Sequence, residues 1–202
     1  MINITNLMKI ESFLNYKEFI GHHTLLYGEI NTKKTYYTAK FVQFLIESEH
    51  VNSKEISILD FAPSQNFISG VKIGGKIKDF YNHSIICNNI YFKGNIIPPR
   101  LKARNIKDLY QFACNNFKKT YKILNKFNEN PTPILIINDI SIYLHIGNKR
   151  LLFDSIKKSN TFFGNSYYGT SIKSDFTTLF SLREKRLIAY LIKKVDFSFN
   201  TG

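Results

Sequence analysis

The apolar positions of this chain repeat at different periods along its length, and the period names the elements. Leu7, Ile10 and Leu14 share one face, with Phe13 beside them and Gly21 as a stop, which predicts a helix over 5–19. "HTLLY" (23–27) reads as a short strand, and residues 34–49 as a helix with Thr38, Phe41, Val42 and Leu45 in one stripe. "ISILDFAP" (56–63) is a second buried strand whose last core position is Asp60. From 64 to about 105 no helical period is sustained, so this stretch reads as an irregular insertion with a strand or small hairpin. Residues 106–127 predict a long helix with Leu109, Phe112, Ala113, Phe117, Tyr121 and Leu124 along one side. "TPILIINDISIYLHIG" (132–147) starts as a fully buried strand, and 149–158 reads as a short helix. A strand lies within 160–169, and "DFSFN" (196–200) is the last one. Between them, 181–195 predicts a helix with Ser181 as N-cap and Glu184 closing a capping box.

Strands that alternate with helices argue for an α/β fold, a mostly parallel sheet with helices on both faces. The length of 202 residues, without internal repeats or low-complexity linkers, fits a single domain over 1–202. No apolar run reaches the roughly 18–20 residues of a membrane helix, and the N-terminus lacks a signal-peptide pattern. Two distant cysteines fit a reducing, cytoplasmic setting.

Charge changes the picture more than composition does. The net charge is +13, and it is uneven. Residues 1–70 carry 6 Lys/Arg against 7 Asp/Glu, whereas residues 71–202 carry 22 against 8. A basic C-terminal two-thirds can steer the chain toward nucleic acid. The competing explanation is a chain rich in Ile, Lys and Asn overall, with no lysine run dense enough for a nucleic-acid tail.

The stretch with the clearest chemistry joins the first strand to the helix after it. Gly28-Glu29-Ile30-Asn31-Thr32-Lys33-Lys34-Thr35 meets three of the four fixed positions of G-x-x-x-x-G-K-[ST]. Such a loop turns its backbone N–H groups inward on phosphate oxygens, with the dipole of the following helix behind them. Here Lys34 would reach the outer phosphates, Thr35 would hold Mg²⁺, and Tyr36 follows in the first helical turn. Lys33 stands where glycine is usual, and a side chain in left-handed backbone costs roughly 1–2 kcal/mol. Downstream, "PILIINDIS" ends an apolar run on Asp139, a carboxylate suited to hold the metal through water.

With these two motifs the chain resembles the P-loop NTPases, and more narrowly their RecA-like branch, in which a strand intervenes between the A and B motifs. The segments "YGE...TKKT", "LDFAP...IGGK", "INDISIYL" and "NSYYG" are also similar to an uncharacterised archaeal group of such ATPases. The resemblance implies ATP and Mg²⁺ as ligands, ATP hydrolysis as the activity, and an active site that can lie between subunits of a homo-oligomer. Residue by residue, it implies Lys34 and Asp139 as catalytic and metal-site groups. Ile140 follows Asp139 where a catalytic acid often sits, so Asp60 is the candidate for orienting water. Asn165 would be the polar sensor on the next core strand, and Arg100, Arg104 and Arg183 are candidate arginine fingers. Two alternatives share the loop and sheet: a nucleotide-using transferase, kinase-like or adenosyltransferase-like, and a non-catalytic module with a decayed site.

Other patterns carry less. "KIGGKIK" (72–78) reads as a turn or a second anion nest. Tyr167 and Tyr168 read as packing or as a stacking surface. The histidines lack partners at metal-ligand spacing.

Overall fold

The computed structural model describes residues 15–68, 71–90, 92, 94–172 and 175–202. The chain forms strands β1 (His23–Gly28), β2 (Ile56–Asp60), β5 (Asn88–Asn89), β6 (Ile134–Asn138), β7 (Thr161–Tyr167) and β8 (Phe197–Asn200) of one sheet. Its order is β5-β2-β6-β7-β1-β8, and every pairing in it is parallel. Strand β7 thus lies between β1 and β6, the strands that carry the two motifs. The helices are α1 (Lys34–Glu47), α2 (Ile77–Phe80), α3 (Pro99–Lys102), α4 (Ile106–Glu129), α5 (Ile140–Leu144), α6 (Lys149–Ile156) and α7 (Thr178–Ile192).

Successive side chains of a strand face opposite ways, and the two faces bury separate cores. On β6, Leu135 and Ile137 join Leu124 of α4, Leu152 of α6 and Ile188 of α7. Ile134 and Ile136 join Phe41, Val42 and Leu45 of α1 on the other face. Phe162 and Phe163 of β7 divide in the same way, and Phe163 stacks on Phe41 with centroids 4.4 Å apart. This is a three-layer α/β arrangement, and an all-parallel sheet of this kind fits a P-loop fold.

Two expectations need correction, one lies mostly outside the described residues, and one is exceeded. Most of the helix expected over 5–19 lies outside the described residues, and the described end is one 3-10 turn, Tyr16–Phe19. The buried side of α4 is Leu109, Ala113, Asn116, Thr120, Ile123, Leu124 and Phe127, so Tyr121 is exposed and Phe112 half-buried. The polar Asn116 and Thr120 belong inside because Asn116 bonds Ile97 at both its amide and carbonyl, and Thr120 bonds the helix's own carbonyls. Helix α7 starts at Thr178, so Ser181 is interior and no capping box forms. The insertion holds the expected small hairpin, with β3 (Asn66–Ile68) and β4 (Val71–Ile73) antiparallel, and in addition β5 extends the main sheet.

Candidate functional site

The sheet's C-terminal edge collects the ends of β1, β2, β6 and β7, the place where parallel α/β sheets bind ligands. A cavity of about 550 Å³ opens there. Ile30 to Tyr36 form one wall. Asp139, Ser141, Ile142 and His145 line another side, with Asn165 and Tyr167 from β7. Pro98 to Leu101 also line the cavity.

The loop turns tightly into the helix that follows it. Asn31 and Lys33 both have left-handed backbone, with Lys33 at φ 58°, and α1 begins at the next residue. Lys33 therefore occupies the conformation usually given to glycine. Among the described residues, the N–H groups of Ile30 to Tyr36 meet no acceptor, while Tyr37 N bonds Lys33 O and continues the helix. The Lys34 ammonium folds back across the loop to the Glu29 carbonyl and, at 3.1 Å, to Thr32 Oγ1. Burial lowers its pKa to about 8, against the pull of the Asp139 and Glu29 charges.

The loop is braced from both sides. The Glu29 carboxylate does not line the cavity; it accepts hydrogen bonds from the amides and hydroxyls of Thr170 and Ser171. Burial opposes its ionisation, but these donors outweigh it and hold its pKa below the ordinary value. On the other side, Glu29 N donates to Gly202 O at 2.9 Å, and Thr32 Oγ1 meets Thr201 Oγ1 at 2.7 Å. Gly28 has φ +149°, and a Cβ there would lie 2.8 Å from Gly202 O, so glycine is required.

The metal-site candidates meet across Asn138. Thr35 Oγ1 donates to Asn138 Oδ1 at 3.2 Å, one residue before Asp139. Asp139 has left-handed backbone (φ 59°) and accepts a bond from Ser141 Oγ at 2.5 Å. Burial raises the pKa of Asp139, Ser141 opposes that, Glu184 adds to it, and His145 and Lys34 pull it down. Asn165 is fully bonded: its amide reaches Thr38 Oγ1 at 2.8 Å and Asn138 Oδ1 at 2.9 Å, and its carbonyl accepts from Asp139 N at 3.1 Å.

The structure does not bring Asp60 to this cavity. It lines a neighbouring one of about 200 Å³. Its carboxylate accepts from Ile77 N (2.8 Å), Asn138 Nδ2 (2.8 Å) and Ala62 N (3.3 Å), and Lys76 Nζ stands 3.6 Å away. Burial raises its pKa, and the Lys76 charge and these bonds oppose the rise. Gly74 and Gly75 of "KIGGKIK" pack against the chain at Pro63, where a Cβ on Gly74 would lie 2.6 Å from Pro63 O.

The three arginines part company. Arg183 donates to the carbonyls of His145, Ile146 and Gly147, which end α5. Arg104 is exposed and paired with Asp108 at 3.1 Å. Only Arg100 lines the cavity: its Nη2 lies 3.1 Å from both Glu184 oxygens, and its guanidinium lies over the Tyr167 ring at 4.5 Å. Glu184 in turn meets His145 Nε2 at 2.7 Å. Sequence reading missed Asn138 and the pair Glu184–His145. The signal for Glu184 was present: Phe180, Glu184, Ile188 and Leu191 are spaced as one buried helical stripe.

No protein-family model matches the chain, and no curated protein does. Among solved structures, a chain from "Structure of Drosophila ORC bound to GC-rich DNA and Cdc6" is similar at 12% identity and a TM-score of 0.30. That match covers 100% of this chain and 60% of the other, so this chain spans about three fifths of its length. A TM-score at that level assigns neither family nor activity.

Among the described residues, no group of three or more His, Cys, Asp or Glu is arranged to hold a metal by itself. A cation here would need a ligand's oxygens as well, which is how Mg²⁺ commonly sits beside phosphates.

Proposed function

We propose that the chain binds a nucleoside triphosphate, ATP by resemblance, together with Mg²⁺ in the larger cavity, and hydrolyses it. The observation that carries this reading is the run of backbone N–H groups from Ile30 to Tyr36 that meet no acceptor among the described residues, at the start of a 14-residue helix. N–H donors along a cavity wall, a helix dipole and a lysine together suit a phosphate. Lys34 would leave the Glu29 carbonyl for a phosphate oxygen, an exchange of a neutral acceptor for a charged one. Thr35 and Asp139 would hold the metal ion, which neutralises charge on the outer phosphates. Asn165 fixes the backbone of Asp139 and so its direction. Asp60 is left out of this reading because its oxygens are occupied and it faces the other cavity.

Calorimetry with Mg²⁺-ATP on the wild type and on Lys34→Ala tests the proposal. Binding in the micromolar range that Lys34→Ala abolishes is the expected result. A wild type that binds no nucleotide would leave a decayed loop in a sound fold.

One observation favours a second reading, a nucleotide-using transferase. The segment Pro98–Leu101 lines the cavity and brings Arg100 into it, as a lid over phosphates would. Turnover that depends on an added small-molecule acceptor would select it over hydrolysis.

The basic C-terminal two-thirds supports nucleic acid as a further partner. A protein that neutralises 6–10 phosphates loses about 10³–10⁵ in affinity between 50 and 200 mM salt. Binding of an oligonucleotide that ignores salt would remove this part of the proposal.

A further inference from the structure

We infer that the outer face of α4 is a docking surface for single-stranded nucleic acid, with lysines for its phosphates and two tyrosines for its bases. This rests on the nucleic-acid part of the proposed function and is independent of the loop at Lys34.

Helix α4 has 24 residues, a length of roughly 36 Å. Its outer face repeats one unit. Lys107 and Tyr110 recur eleven residues on as Lys118 and Tyr121. Eleven residues make about three helical turns, so the two units share a side and lie roughly 16 Å apart. Lys122 and Lys126 continue the row at steps of about one turn.

The charge on this face is unanswered. All four lysines are exposed, and none makes an ion pair or hydrogen bond among the described residues. Residues 109–128 contain no acid. Of the two acids at the helix ends, Asp108 is taken by Arg104 at 3.1 Å. Lys119 is not part of the row, because its ammonium turns to the Asn95 carbonyl.

The rings are propped from beneath and open above. Tyr110 is 49% exposed and Tyr121 is 41% exposed. Tyr110 meets Phe180 edge-on at 5.7 Å, and Tyr121 meets Phe117 at 5.4 Å. An aromatic ring held in this way loses little freedom when a ligand settles on it. Elsewhere lysines lie over exposed tyrosine rings, as Lys149 does over Tyr190 at 4.1 Å. No cation covers Tyr110 or Tyr121 among the described residues.

Unpaired cations beside open aromatic faces match a strand whose phosphates and base faces are both available. A duplex keeps its base faces stacked inside. An acidic peptide answers the cations alone. The surface therefore fits a single strand better than either.

Fluorescence anisotropy without ATP tests the surface. The probe is a labelled single strand of about 16 nucleotides, as DNA and as RNA, and binding of either counts. The matching duplex and polyglutamate serve as competitors. Tyr110→Leu with Tyr121→Leu keeps an apolar contact on each inner ring and removes the flat face. Tyr110→Phe with Tyr121→Phe restores the face. Lys118→Gln with Lys122→Gln removes two charges. Thermal melting checks each variant, and Tyr121→Leu alone replaces the double leucine variant if that one is unfolded at the assay temperature. The expected result is a tenfold or greater preference for the strand over both competitors. The leucine variant should weaken strand binding about tenfold, and the phenylalanine variant should match wild type. The lysine variant should lower the slope of log affinity against log salt by about 1.4. Strand binding that survives both the leucine and the lysine variants overturns the α4 surface and leaves nucleic acid as a partner elsewhere. Competition by duplex or polyglutamate as strong as by the strand itself overturns the single-strand reading. A wild type that binds no strand overturns both the surface and the nucleic-acid partner, and any other pattern overturns the surface.

Discussion

Lys34 and Lys33 sit side by side and do opposite things. Burial brings Lys34 down to about 8 from an ordinary 10.5. The unfolded chain therefore holds one more proton than the folded one between those values, so the Lys34 contribution to stability rises with pH across that window. An anion at the loop favours the charged lysine, and binding reverses the linkage. Nucleotide affinity should stay flat below about pH 8 and then fall by up to about tenfold per pH unit. Calorimetry from about pH 7 to 9.5 checks this, and a flat profile would remove Lys34 from the phosphate. Lys33 instead carries the strain of left-handed backbone, roughly 1–2 kcal/mol for a residue with a Cβ. Lys33→Gly should relieve that strain while adding chain entropy to the unfolded state. The expected net result is a gain of up to about 1 kcal/mol in chemical denaturation, with no gain from Lys33→Ala. Both roles follow from a one-residue offset at the start of α1, and the sequence displayed that offset because the motif fixes it.

At the scale of the element, α7 shows where the sequence misleads. Ser181 and Glu184 have the spacing of a capping box, and a Ser→Ala change at a true N-cap costs about 0.5–2 kcal/mol. Here the helix begins three residues earlier, so Ser181→Ala should change stability by no more than about 0.5 kcal/mol. Removing one member of the Arg100–Glu184 pair leaves a buried charge, and Arg100→Met should cost about 3–5 kcal/mol. Urea midpoints of the two variants, measured side by side, test the contrast. The order of helices and strands was legible because strands buried on both faces and amphipathic helices have distinct periods. Which side of α4 faces inward was not, because Asn116 and Thr120 are inside only by virtue of partners that no local pattern reveals. Asp60 failed as a cavity residue for the same reason: its partner Lys76 is 16 positions away in the insertion. The strand, loop and helix around Lys34 were readable because their signals are local, while Glu184 and His145 meet through tertiary contacts.

Across the whole molecule, the sheet order sets the site. With β7 between β1 and β6, Asn165 can reach both α1 and Asp139, tying the two motifs into one rigid edge. A ligand that binds only this assembled edge stabilises the fold by about 2.7 kcal/mol at a hundredfold excess over its Kd. For a domain of this size that is a rise of roughly 5–10 °C in Tm. Mg²⁺-ATP should produce it in wild type, and Lys34→Ala should show no shift. The segment that braces the loop bears on how the site is assembled. Thr201 reaches Thr32 across 169 residues, and β8 must dock on β1 before that contact exists. Without residues 197–202 the loop at Glu29 and Thr32 lacks one of its two braces. Such long-range closure is slow, so the cavity wall at the loop gains its full support only after the sheet is assembled.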